Sequence, residues 1–190
     1  MLTERSKRLR SLINCSIFAA VTAILAQIEI PLPLIPISGQ TLAVGIAATV
    51  LGSRHGAIAM LVYAAIGAIG LPVFAGFSGG PQVLVGPSGG YIFGFIATAY
   101  ITGLILEKTR FSIPIALIAN IVGMVVTLIF GTIQLKIVMD LNWHAALAAG
   151  VYPFIPVGLI KAFLASVIGI TVRRRLVQAK LIGATQGEVA

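Results

Sequence analysis

Between Leu9 and Val172 this chain alternates apolar stretches with short breaks, and its charge is confined almost wholly to the breaks. That pattern leaves few folds open. A water-soluble domain needs charge spread over its surface, yet 58% of the 190 residues are hydrophobic and only 9% are charged. Lipid must be the main solvent, and in lipid a segment has to satisfy its own backbone hydrogen bonds. The expected fold is therefore all-α: an integral membrane bundle of six transmembrane helices. The apolar stretches run over residues 9–28, 40–51, 56–70, 90–106, 113–135 and 154–172. The first, at 1.5 Å per residue, spans roughly 30 Å. The second and third are short and are parted only by a turn around Arg54, which predicts an antiparallel helical pair packed against protein.

The basic residues orient the bundle. Arg5, Lys7, Arg8 and Arg10 precede the first stretch, Arg54 divides the second from the third, and Lys108 and Arg110 divide the fourth from the fifth. Arg173, Arg174, Arg175 and Lys180 follow the sixth. These positions fall on alternate breaks, hence on one membrane face. The remaining breaks, 31–40, 71–87 and 136–145, carry a single basic residue, Lys136. Positive charge collects in the cytoplasm, so both termini are expected there. The net charge of +8 is thus a topology signal. It would otherwise suggest nucleic acid, but no such partner is expected of charges that bracket apolar helices. One membrane domain is expected over residues 1–180, with a flexible cytoplasmic tail over 181–190.

Several chemistries are missing. There is no Gly-x-x-x-x-Gly-Lys-Ser/Thr run to cradle a nucleotide phosphate. His55 and His144 stand apart, and Cys15 is the only cysteine, so neither a metal site nor an internal disulfide is expected. The acidic residues Glu4, Glu29, Glu107, Asp140 and Glu188 form no close pair and lie outside the helix interiors, which argues against a proton relay. No catalytic residue, metal or cofactor is expected. A membrane enzyme would need a nucleophile–base pair or a metal cluster that the sequence does not supply. Uphill transport by this chain would need an outside source of work.

Candidate binding residues gather toward the other membrane face. Segment 71–87 is chargeless, rich in Gly and Pro, and contains Phe74 and Phe77. An apolar segment that breaks helices is tolerated near lipid only where protein buries it or where it lines a cavity. An ordered external loop between the third and fourth helices is expected, with Phe74, Gly79, Gln82 and Gly86 as ligand candidates. Ser88, Gly89 and Tyr91 extend the pattern into the start of the fourth helix, whose free N–H groups suit a carbonyl or carboxylate. Gln40 and Thr41 open the second helix, and Ser38 is placed to cap it. Lys161, about seven residues into the sixth helix, is a charge at roughly 10 Å depth and marks function by default, with snorkelling to the interface as the bland alternative. Gln134 and Tyr152 lie at a similar outer level, whereas Asn120 sits nearer the cytoplasm and reads as interhelical glue. The small residues Cys15, Ala19 and Ala23 form a ridge on the first helix, for packing or for docking to another subunit; Gly123, Thr127 and Gly131 read as packing. Together these features suit a small, mostly apolar solute with a few hydrogen-bonding groups.

The residues also resemble a known family. The run Gly67-Ala-Ile-Gly-Leu-Pro-Val-Phe-Ala-Gly76, then Gly86-Pro-Ser-Gly-Gly-Tyr91, residues 35–41, and Tyr152-Pro-Phe-Ile-Pro156 with Lys161 are similar to BioY, the biotin-specific S component of energy-coupling factor (ECF) transporters. The resemblance covers about residues 11–175. It implies a prokaryotic cell-membrane protein that captures biotin from outside under its loops. It also implies docking to a transmembrane coupling subunit served by two ATPase subunits, with Ala19 and Ala23 matching an Ala-x-x-x-Ala docking motif. One departure stands out. Such proteins commonly carry Gly-Asp where this chain has Val157 and Gly158. The Asp would accept from the ureido N–H groups of biotin. Its absence leaves three alternatives: Gln40 or Gln134 accepts instead, the affinity differs, or the ligand is a related vitamin or cofactor precursor. It also leaves Lys161 to meet the valerate carboxylate. A packing subunit without a ligand is the remaining alternative, in which Lys161 and Gln40 are replaceable.

Overall fold

The computed structural model describes residues 4–183. The described chain is mostly helical: α1 (Glu4–Ala26), α2 (Gln40–Ala68), α3 (Pro81–Val85), α4 (Gly89–Lys108), α5 (Ile113–Val138), α6 (Trp143–Gly150) and α7 (Phe154–Gln178). A two-residue ladder joins β1 (Glu29–Ile30) to β2 (Ile37–Ser38), with Glu29 opposite Ser38. Among the described residues five helices, α1, α2, α4, α5 and α7, are long and apolar enough to cross a membrane.

α2 reverses direction part-way. Gly52 has φ 80° and ψ −172°, a conformation that essentially only glycine adopts. The Gln40 amide donates to the Tyr63 hydroxyl at 2.6 Å, although 23 residues of straight helix would part them by roughly 35 Å. Gly56 backs onto Ala48 in the same way. Residues 40–51 and 53–68 are therefore two antiparallel limbs, and the absence of a side chain at Gly56 lets them touch.

Charge from other helices holds that reversal. Glu107, near the end of α4, accepts from the Ser53 backbone N–H at 2.8 Å and from the Ser53 hydroxyl at 2.6 Å. A carboxylate there caps the positive end of the second limb. Arg173 of α7 donates to the Val50 carbonyl at 2.6 Å, at the negative end of the first limb, and its guanidinium lies 3.6 Å from the centre of the Phe111 ring. Arg10 reaches the Lys180 carbonyl at 3.1 Å. The breaks bearing Arg54, Lys108 and Arg173 thus share one end of the bundle, the basic end.

Packing in lipid depends on close approach, and small residues supply it. Cys15, Ala19, Thr22 and Ala26 are all buried on one face of α1 and seat it against α2, while Ile13, Ile17, Ala20 and Ile24 face outward. Cys15 is a buried packing residue whose thiol donates to the His55 carbonyl. Ala19 is only 3% exposed and belongs to the chain's own core; Ala23 is half-buried beside it. On α5, Gly123 lies against Thr98 and Thr102 of α4, and Gly131 lies against the Tyr91 ring.

The sequence-based boundaries shift in three places. α1 begins at Glu4 within the basic run, because Lys and Arg are good helix formers. α5 and α7 each run past the expected end, to Val138 and Gln178. The break after α5 contains a further helix, α6, whose Asn142 side chain caps it by accepting from the Ala145 N–H at 2.8 Å. Of the expected tail, residues 184–190 lie outside the described residues.

Candidate ligand-binding cavity

At the end opposite the basic one, the first limb of α2 and helices α4, α5 and α7 enclose a cavity of about 270 Å³. That lies just below the usual range for ligand pockets, roughly 300–1,000 Å³, and suits a small guest. Two covers close it. One is the ladder strand Ile37–Ser38 with Ile35 and Pro36. The other is the segment after α2, which contributes Phe74, Ala75, Ser78 and Val83.

The second cover is a folded object rather than a slack loop. Phe74 and Ser78 form a β-bridge around a short 3₁₀ turn, Ala75–Phe77. The Phe74 ring is buried edge-on to Tyr63 with centroids 5.5 Å apart. It fits because residue 67 is glycine: a β carbon there would overlap the ring. Gln27, just past α1, grips the same cover. Its amide nitrogen donates to the Phe74 carbonyl at 3.1 Å, and its oxygen accepts from the Phe77 N–H at 2.9 Å.

From the cavity wall, polar atoms run back into the bundle in a chain of contacts. The Ser38 hydroxyl donates to Gln40 Oε1 at 2.6 Å, and Gln40 Nε2 donates to Tyr63, whose hydroxyl donates to the Val73 carbonyl at 3.0 Å. Lys161 turns into the bundle, where its ammonium donates to the Ser38 carbonyl at 2.7 Å and to Thr41 Oγ1 at 3.2 Å. It does not snorkel toward lipid. An ammonium has three N–H donors, so one is left for a guest. Tyr91 stacks on Phe154 at 5.8 Å and donates to the Gly150 carbonyl at 2.8 Å, fixing the cavity wall between α4 and α7.

Six of the residues singled out in the sequence line this cavity: Gln40, Thr41, Phe74, Ser88, Tyr91 and Lys161. Six others do not. Gly79 allows a close turn against the Leu71 carbonyl, and Gln82 folds back to the Gly79 carbonyl at 2.6 Å. Gln134 donates to the Leu84 and Gly86 carbonyls at 2.7 and 2.8 Å, so it ties α3 and the Gly86 turn to α5. Gly89 packs under Leu84 beside Gln134. Tyr152 is 56% exposed. Ser38 acts less as a helix cap than as a donor to Gln40; its oxygen receives the Gln40 N–H only at 3.4 Å.

The cavity also reaches deeper than the sequence reading places it. Thr98, Thr127 and Asn120 line its inner part. The Thr98 hydroxyl donates to the Gly123 carbonyl at 2.7 Å and lies 2.7 Å from that of Thr127. These residues sit mid-helix amid apolar neighbours, and polarity there has one sequence signature whether it joins helices or meets a ligand. At residue 158 the Met124 sulfur occupies the space that a β carbon would take, so Met124 fills the place left by the glycine.

The BioY family model matches residues 2–178. The chain belongs to the BioY family. Two BioY relatives are matched over nearly their whole length. The chain is 38% identical over 172 residues to the biotin transporter BioY2 of Lactococcus lactis subsp. cremoris, covering 90% of this chain and 94% of that protein. It is 39% identical over 166 residues to the biotin transporter BioY of Thermotoga maritima, covering 87% of this chain and 97% of the relative. A crystal structure of the S-component for biotin from an ECF-type ABC transporter superposes with a TM-score of 0.82 at 28% identity, covering 92% of this chain and 95% of that one.

Proposed function

We propose that this chain is the substrate-binding membrane subunit of an ECF-type transporter and captures biotin from outside for ATP-driven uptake by a partner coupling module. The observation that carries the reading is the covered cavity of about 270 Å³, apolar in most of its wall and furnished with one cation, Lys161. A bicyclic, uncharged ring system with an acidic tail matches that wall, and relatives of nearly full length are named biotin transporters.

The topology that accompanies this reading is six crossings within one S-component domain over residues 1–180, the two limbs of α2 counting separately. The basic end faces the cytoplasm with both termini, by the positive-inside rule, and the covered end faces outward in a prokaryotic cell membrane. The work comes from a transmembrane coupling subunit and two ATPase subunits. Docking through α1 would use its outward face, with Ala23 at its edge.

Calorimetric titration of the purified protein in detergent tests the reading. Submicromolar binding of biotin near one per chain is the expected result, and no heat at any biotin concentration removes it. A second ligand reading is favoured by one observation: residue 158 offers no carboxylate and Met124 fills its space. Thiamine, riboflavin, lipoate or dethiobiotin displacing biotin at lower concentration than biotin itself would favour a related vitamin or precursor.

A further inference from the structure

The cavity wall contains no carboxylate, and its side-chain carbonyl acceptors are those of Gln40 and Asn120. Gln40 is committed at both ends, its oxygen to Ser38 and its nitrogen to Tyr63. Asn120 is committed at one end only. Its nitrogen donates to Thr49 Oγ1 at 3.1 Å, the Ala116 carbonyl at 2.9 Å and Ser166 Oγ at 3.2 Å. Those partners fix which way the amide points. Thr49 gives its own hydrogen to the Gly45 carbonyl, and Ser166 gives its hydrogen to the Ala162 carbonyl. All three are therefore acceptors toward Asn120, and a flipped amide would set its oxygen against three oxygens.

The Asn120 oxygen is thus turned the other way, and among the described residues no donor reaches it. The residue is 6% exposed and lines the cavity. The oxygen lies beside Gly45, where a β carbon would overlap it, so glycine makes room for it at the cavity wall. The oxygen is not sealed in the packing but open to the cavity, and a guest that brings an N–H to it gains a hydrogen bond that no protein group supplies. The position along the bundle follows from α7: Ser166, its partner, is five residues beyond Lys161, or roughly 7.5 Å deeper by helical rise.

We infer that the Asn120 carbonyl oxygen is the acceptor that reads a ring N–H group of the ligand at the cavity floor. The inference rests on the biotin reading, in which that group is a ureido N–H. The ligand then enters ring first, with its acidic chain toward Lys161 and the covers. Specificity at the floor comes from a neutral amide, and a guest lacking an N–H there leaves the carbonyl unsatisfied.

The test compares biotin with its two cyclic carbamate analogues, in which a ring oxygen replaces one or the other ureido N–H with little change of size. Binding to the intact protein is measured by calorimetry for wild type and for Asn120→Leu. In wild type, one carbamate is expected to bind about tenfold to a hundredfold more weakly than biotin. In Asn120→Leu, biotin weakens and the gap between it and that carbamate closes. Asn120→Ser, which keeps a hydroxyl for the interhelical contacts but withdraws the carbonyl, replaces the Leu variant if that variant does not fold. Two results overturn the inference and leave the biotin reading intact: both carbamates matching biotin in wild type, or a gap unchanged by the Asn120 variants. Failure of wild type to bind biotin overturns both together.

Discussion

The two ends of this bundle treat buried polarity in opposite ways. At the basic end, Glu107 and Arg173 bind backbone groups at the reversal of α2, and each stands where a helix limb ends and its dipole calls for that sign. Around the cavity, Lys161 and Asn120 are held by neutral groups on one side and face the cavity on the other. Polar residues that close on the chain's own backbone build the fold, whereas those left with unused bonding capacity toward a cavity are available to a guest.

Changes at the basic end should therefore lower stability and changes at the covered end should lower affinity, and the largest effect is expected at Gly52. Gly52→Ala places a side chain where φ is 80° and where a β carbon meets the Glu107 carboxylate. A loss of about 3 kcal/mol or more is expected, read as a fall in thermal unfolding temperature in detergent. An unchanged melting curve would break the contrast at its stronger side. Next comes Lys161→Ala, expected to weaken biotin binding by about 2 kcal/mol in titration calorimetry with a smaller change in melting. If melting collapses while affinity holds, Lys161 belongs with the structural group.

The sequence made the bundle legible for a simple reason: apolar length and charge placement answer to the bilayer and need no knowledge of neighbours. Lys161 was legible because a cation inside an apolar helix has few explanations. Asn120 was not, because which half of its amide lacks a partner depends on Thr49 and Ser166, 71 and 46 residues away. That Gln134 and Tyr152 lie outside the cavity wall was hidden for a related reason. Helical rise gives depth, but the side a residue faces is set by the packing of the whole bundle, and Gln134 faces the Gly86 turn. Gln27 escaped notice because its partners, Phe74 and Phe77, belong to a cover whose shape no local pattern specifies.

Smaller effects sharpen the boundary. Tyr63 serves both roles, since its hydroxyl accepts from Gln40 and donates to Val73. Tyr63→Phe is expected to cost about 1 kcal/mol in stability and a similar amount in biotin affinity, measured on one preparation by melting and titration. Loss in only one of the two would assign Tyr63 to a single group. Tyr152→Ala, at a side chain mostly exposed and outside the cavity, is expected to shift affinity by no more than about 0.5 kcal/mol. A tenfold loss there would extend the site beyond the present wall.

The grip of Gln27 on the cover carries a mechanical corollary. One amide group, anchored back to the Ala23 carbonyl at 3.0 Å, holds two backbone points of the lid from the tip of the first helix. While those bonds hold, that helix and the lid travel as one lever, so a sideways push on the helix anywhere along its length arrives at the mouth of the chamber.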